Sequence, residues 1–175
     1  MTSPADEDYL WQKRHEIVCK IELSGLYHQK RERFFELCDK LGKTISLIGG
    51  SATFWKISEP GAVLWIAAGI TVSSAFSLVF SFSERSRRHA ELSRNYRQIL
   101  ADIMTKGERD YTEDDLKAWS GKVYTLEATE PPSLAALTIL CQNELAIANG
   151  DSKSVRKLNF WQRSFANICD LPLHE

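Results

Sequence analysis

The stretch from Gly61 to Phe82 carries no charged side chain, and no other feature of the sequence restricts the fold as strongly. As a helix it extends about 33 Å at 1.5 Å per residue, enough to cross the hydrocarbon core of a bilayer. The wider run from Leu41 to Phe82 holds only Lys43, Lys56 and Glu59, each near an expected helix end. Its first half, Thr44 to Ile57, is shorter and more polar. It approaches a full crossing only if Lys43 and Lys56 snorkel outward. Between the halves, Ser58-Glu59-Pro60-Gly61 is a turn signal, because proline stops the preceding helix and glycine adopts conformations closed to other residues. The expected fold is all-α: a two-helix transmembrane hairpin, about 44–58 and 61–82, flanked by amphipathic cytoplasmic helices.

Charge placement sets the expected orientation. Lys30, Arg31, Arg33, Lys40 and Lys43 precede the hairpin, while Arg85, Arg87, Arg88, Arg94 and Arg97 follow it. The hairpin itself carries Lys56 alone as a cation. Cytoplasmic flanks of membrane helices are rich in lysine and arginine, so both arms, 1–43 and 83–175, belong on the cytoplasmic face of the cell's inner membrane. Lys40, Lys43, Arg85, Arg87 and Arg88 would sit at the lipid headgroups and fix that topology. Trp55 and Trp65 fall near the hairpin tip, where indoles favour the interface. The acidic start, MTSPADEDY, lacks an apolar core and does not read as a signal peptide.

The mean hydropathy of -0.28 conceals this arrangement, because it averages one apolar run with a polar majority. A net charge of -1, with cations gathered on the shoulders of the apolar run, does not indicate a nucleic-acid surface. Cys19, Cys38, Cys141 and Cys169 are too widely spaced for a zinc or redox motif. His15, His28, His89 and His174 show neither metal-ligand spacing nor a neighbouring nucleophile. No cofactor, metal site or catalytic residue is expected.

Within the apolar run the polar residues are small and recur at helical spacing: Ser46, Gly50 and Thr53 in the first half, and Thr71, Ser74, Ser77 and Ser81 in the second. Such stripes let helices approach closely in lipid, either within the hairpin or between copies. They could also line a pore, which two helices cannot enclose alone, so that role requires a homo-oligomer.

The arms read as amphipathic helices. In the N-terminal arm Leu10, Ile17 and Ile21 form one seam, and Leu23, Tyr27, Phe34, Leu37 and Leu41 another, with Gly25 as a bend or boundary between them. After the hairpin, Ser83 to Met104 presents Leu92, Tyr96, Ile99 and Ile103. Thr112 then opens a helix carrying Leu116, Trp119, Val123 and Leu126. Pro131 and Pro132 end it, and Ser133 is the expected cap of a helix carrying Leu134, Leu137, Cys141 and Leu145 that Gly150 closes. A last helix, about Ser152 to Cys169, would carry Leu158, Trp161, Phe165 and Ile168 on its packed face.

This layout resembles the SLATT family of two-transmembrane effector domains, through FFELCDKLGK, the Glu59-Pro60-Gly61 turn, RSRRHAELSRNYRQI and TEPPSLAALTILCQNEL. The resemblance spans most of the chain and implies a pore-forming effector of a prokaryotic, antiviral conflict system, triggered by a nucleotide-signalling or sensor protein. The sequence shows no sensor domain of its own, so a separate partner would supply the signal. The rivals are a membrane-anchored adaptor that recruits a cytosolic partner and a soluble helical interaction module.

Overall fold

A computed structural model describes residues 4–55 and 60–170, and within these the side chains of all but residues 4, 5, 50, 52–55, 60, 62 and 63. Among the described residues every element is helical: α1 Pro4–Trp55, α2 Pro60–Phe80, α3 Phe82–Thr105, α4 Glu113–Glu127, α5 Ala135–Ala148 and α6 Phe160–Phe165, with one 3-10 turn at Ser152–Ser154. Of the turn expected at Ser58 to Gly61, Ser58 and Glu59 lie outside the described residues, and Pro60 and Gly61 already belong to α2.

The N-terminal arm and the first apolar segment are one continuous helix, α1, of 52 residues. Asp6 and Glu7 sit in its first turn, where a carboxylate offsets the positive end of the helix dipole. Farther along, Glu36–Lys40 and Asp39–Lys43 pair at 2.7 and 2.6 Å with the acid one turn before the base, the favourable order on a helix. No helix boundary falls at Gly25, because α1 runs through it unbroken. Gly25 is buried, and a Cβ there would lie 3.7 Å from Tyr96 Cβ, so the glycine brings α3 close to α1 without breaking it. Ser93 of α3 fixes the approach, donating from its hydroxyl to the Gly25 carbonyl at 3.1 Å.

The chain divides into two compact units, residues 1–30 with 90–175, and residues 31–89. This division differs from the expected boundaries at 43/44 and 82/83. In the first unit, Ile21 of α1, Tyr96, Ile99 and Ile103 of α3, and Leu116, Trp119 and Val123 of α4 form one buried cluster. The α3 and α4 seams are thus the ones their spacing predicts. A second cluster joins Tyr27 of α1 to Ala136, Leu137 and Cys141 of α5 and to Ala166. Burial pushes the Cys141 thiol up to about 11, so it stays protonated as an apolar packing group.

The loop between α4 and α5 is tied to both clusters. The Glu130 carboxylate accepts from the Tyr96 hydroxyl and lies 2.9 Å from His28 Nε2, with His28 only 1% exposed. Burial first, and the neighbouring carboxylate second, push the Tyr96 phenol well above its ordinary range, so it stays a donor. Leu134, not Ser133, occupies the N-cap of α5 and makes no side-chain capping bond. Distant residues satisfy the helix start instead: Leu134 N–H donates to the Tyr27 hydroxyl at 3.0 Å, and Ala135 N–H to Asp170 Oδ1 at 2.9 Å. At the other end Gly150 has φ of 80°. Its N–H donates to the Ile147 carbonyl at 3.1 Å, and Asp151 N–H to the Ala146 carbonyl at 2.8 Å, a glycine-closed helix end.

Thr112 caps α4 as its sequence indicates, in a reciprocal box with Asp115. The Thr112 N–H donates to the Asp115 carboxylate at 2.9 Å, and that bond, followed by Lys106, holds the carboxyl below the usual range. A carboxyl depressed in the folded state stabilises above its unfolded pKa, about 3.9, and the contribution disappears as pH falls through the folded value. Asp115→Asn is therefore expected to lower stability at neutral pH and to flatten the acid limb below about pH 4. Urea unfolding of the two proteins at several acidic pH values checks this, and parallel limbs would contradict it.

Candidate functional site

The second unit is the candidate site. Its α1 portion runs from Arg31 to Trp55, its middle is α2, and α3 contributes as far as His89. Phe35 stacks on Phe82 at 6.4 Å, while Gly49, farther along α1, sits against Ile66 and Ile70 of α2. Advancing along α1 thus means retreating along α2, so the two helices are antiparallel neighbours.

Gly49 makes the closest approach. A Cβ placed on it would lie 2.8 Å from Ile70 Cγ1 and 3.0 Å from its Cδ1, inside van der Waals contact. The seam of the pair consists of partly covered residues at helical spacing: Gly42, Ser46 and Gly49 on α1, and Ile66, Ile70, Ser73 and Ser77 on α2. Small residues on one helix accept branched ones on the other, which is how helices pack where no hydrophobic effect drives them together. Beside the seam an apolar groove of about 700 Å³ runs between Cys38, Leu41 and Ile45 on one wall and Trp65, Val72 and Phe76 on the other.

The hydroxyl stripe expected from the sequence divides. Ser46 and Ser77 are partly covered in the seam. Thr71 and Ser74 are exposed, and the Thr71 hydroxyl donates to the Ala67 carbonyl of its own helix at 2.9 Å. Gly50 and Thr53 belong to α1, but their side chains lie outside those described. Ser81 separates α2 from α3 with φ of 45°, a conformation that costs a non-glycine residue about 1–2 kcal/mol. It keeps its hydrogen bonds: Ser81 N–H donates to the Ser77 carbonyl at 3.1 Å, and Arg85 N–H to the Ser81 carbonyl at 3.0 Å.

Apart from the exposed Thr71 and Ser74, the described outer surface of α2 is apolar. Leu64, Trp65, Leu78 and Val79 are 70–80% exposed, and Val72 and Phe76 more than half exposed. On α1, Leu37, Leu41, Ile45, Leu47 and Ile48 are exposed in the same way. The Leu37 and Leu41 positions expected in a packed seam therefore face outward, and Phe35 rather than Phe34 is the buried ring. Among the described residues one helical stretch, Leu64–Thr105, is long and apolar enough to cross a membrane, and none of its most apolar part is buried within the chain. A core helix of a water-soluble domain would be mostly covered.

At the foot of the pair is a cluster that sequence spacing does not reveal. Phe35, 4% exposed, stacks on His89 at 5.6 Å and lies under the Arg31 guanidinium at 4.4 Å and that of Arg85 at 5.9 Å. The Ser86 hydroxyl donates to the Glu32 carbonyl at 3.3 Å. Of the five cations expected at the headgroups, Lys40 and Lys43 are exposed but ion-paired along α1, and Arg85, Arg87 and Arg88 are exposed on α3. Among the described residues no three His, Cys, Asp or Glu side chains come together to hold a metal.

No protein-family model, no curated protein and no solved structure matches the chain.

Proposed function

We propose that the α1–α2 pair inserts into the inner membrane as a two-helix hairpin with both termini cytoplasmic, and that several copies assemble into a pore. The observation that carries this reading is the exposed, largely apolar outer surface of α2, which in water would need a cover. Lipid covers the bulky side, with Trp65, Val72, Phe76 and Val79 against acyl chains. The face with Ala67, Thr71 and Ser74, which also carries Leu64 and Leu78, lies beside the seam, and it is the face we assign to contact between copies and to the water path. Such a path, lined by hydroxyls without an ionisable group, would select weakly among ions.

The resemblance to SLATT proteins extends the proposal. The protein acts as an effector of a prokaryotic, antiphage-type conflict system, and the helical arms receive a trigger from a separate nucleotide-signalling or sensor protein. Leakage of the membrane is the outcome.

Ser74→Leu is expected to abolish leakage of entrapped dye from reconstituted liposomes while insertion, read by resistance to carbonate, is unchanged. Unaltered leakage would remove the lining role of that face. One observation favours a membrane-anchored adaptor: the Thr71 hydroxyl is already satisfied within its own helix, so its face can rest in lipid without a pore. Exchanging the hairpin for an unrelated one separates the readings, because an adaptor survives the exchange and a pore does not.

A further inference from the structure

The last helix contradicts its sequence pattern, and the contradiction exposes a second surface. The spacing of Leu158, Trp161, Phe165 and Ile168 predicts an inward face on a long helix. The helix is instead one short piece, Phe160–Phe165, that turns Gln162 and Ala166 inward. Asn159 sets this orientation, its N–H donating to Gln162 Oε1 at 2.9 Å in a reciprocal cap. Phe160, Trp161 and Ile168 are left 75%, 65% and 61% exposed, with Phe165 at 36%. The rings brace one another, Trp161 stacked on Phe165 at 5.9 Å and edge-on to Phe160 at 5.8 Å.

The same stretch is uniformly basic. Residues 152–169 contain Lys153, Arg156, Lys157 and Arg163, all exposed, and no aspartate or glutamate, in a chain whose net charge is -1. The segment is also held in place. Asn143 of α5 donates from its amide to the Arg156 carbonyl at 2.7 Å and accepts from the Arg156 N–H at 2.8 Å, so cations and rings are presented on a fixed backbone.

We propose that this aromatic and basic face docks on an anionic bilayer surface. Tryptophan and phenylalanine partition to the headgroup boundary, and lysine and arginine beside them are drawn to anionic lipid. A symmetric contact with a second copy would set four cations against four and repel. The choice of a bilayer over an acidic protein rests on the hairpin reading above, which keeps lipid within reach of the same chain. Each cation removed is expected to lower partition onto anionic vesicles roughly fivefold.

The segment carries its own reporters, because trypsin cleaves after Arg156, Lys157 and Arg163. The full chain is placed in nanodiscs of phosphatidylglycerol or of phosphatidylcholine, digested briefly, and the cuts are read by mass spectrometry. Protection is expected in phosphatidylglycerol alone, weakened by high salt and lost in Trp161→Ser. Equal cleavage in both lipids would overturn the proposal. So would equal protection in both lipids and in detergent, which would mean that protein covers the face. Carbonate extraction reads hairpin insertion separately. If insertion fails, flotation of the full chain with phosphatidylglycerol vesicles still reads this surface, with R156Q/K157Q expected to reduce it roughly twenty-five-fold and undiminished flotation overturning the proposal.

Discussion

Trp119→Ala is expected to cost about 3–5 kcal/mol and to bring the first unit close to unfolding. Trp119 is 5% exposed and is the largest side chain contributed by α4 to the cluster of Ile21, Tyr96, Ile99 and Ile103, so three helices lose contact when it is removed. The cavity is not easily closed, because each of those helices is also fixed elsewhere: α1 and α3 by the Ser93–Gly25 bond, and α4 by its Thr112 cap. Tyr124 lies on the same helix, is 65% exposed and has Lys20 Nζ 4.8 Å from its ring centre. Its change to alanine should stay within about 1 kcal/mol. Urea unfolding of the two variants in mild detergent compares them directly, and similar midpoints would contradict the assigned core.

Gly49→Leu is expected to separate α1 from α2 and to abolish leakage. Even alanine forces Ile70 away from its position, at about 0.5–1.5 kcal/mol if a rotamer change suffices. Leucine needs more room than a rotamer change supplies, and overpacking of this kind costs about 1–3 kcal/mol. Two controls define the mechanism. Gly42→Ala should be silent, because a Cβ there meets nothing within 4 Å, and Ile70→Ala should restore Gly49→Ala by vacating the contact. Leakage assays and thermal aggregation in detergent read both pairs. A silent Gly49→Leu would mean that the close approach of the two helices is unimportant.

How much of this could be read from the sequence depended on where the decisive contact lay. The seams of α3 and α4 were legible because their apolar residues recur at threes and fours and meet partners of the same unit. The stop at Gly150 and the cap at Thr112 were legible because both motifs are local. Gly25 and Ser133 misled for the opposite reason. The meaning of Gly25 lies with Tyr96, and the start of α5 is satisfied by Tyr27 and Asp170, residues remote in sequence. In the hairpin the sequence stripe names Gly50, which lies outside the described side chains, and the close approach that the structure shows is made by Gly49. The spacing Gly42, Ser46, Gly49, four then three, was the available signal. The cluster of Phe35 with His89, Arg31 and Arg85 left no sequence trace, since it joins residues from two helices separated by the whole hairpin.

The apolar pair of helices is proposed to cross a bilayer and to conduct. The most direct test of that proposal is reconstitution of the purified full chain into liposomes loaded with a self-quenching dye, followed by a carbonate wash of the same vesicles. Dye release from vesicles that retain the protein through the wash is the predicted result. Protein washed into the soluble fraction, or retained protein that releases no dye, would contradict it.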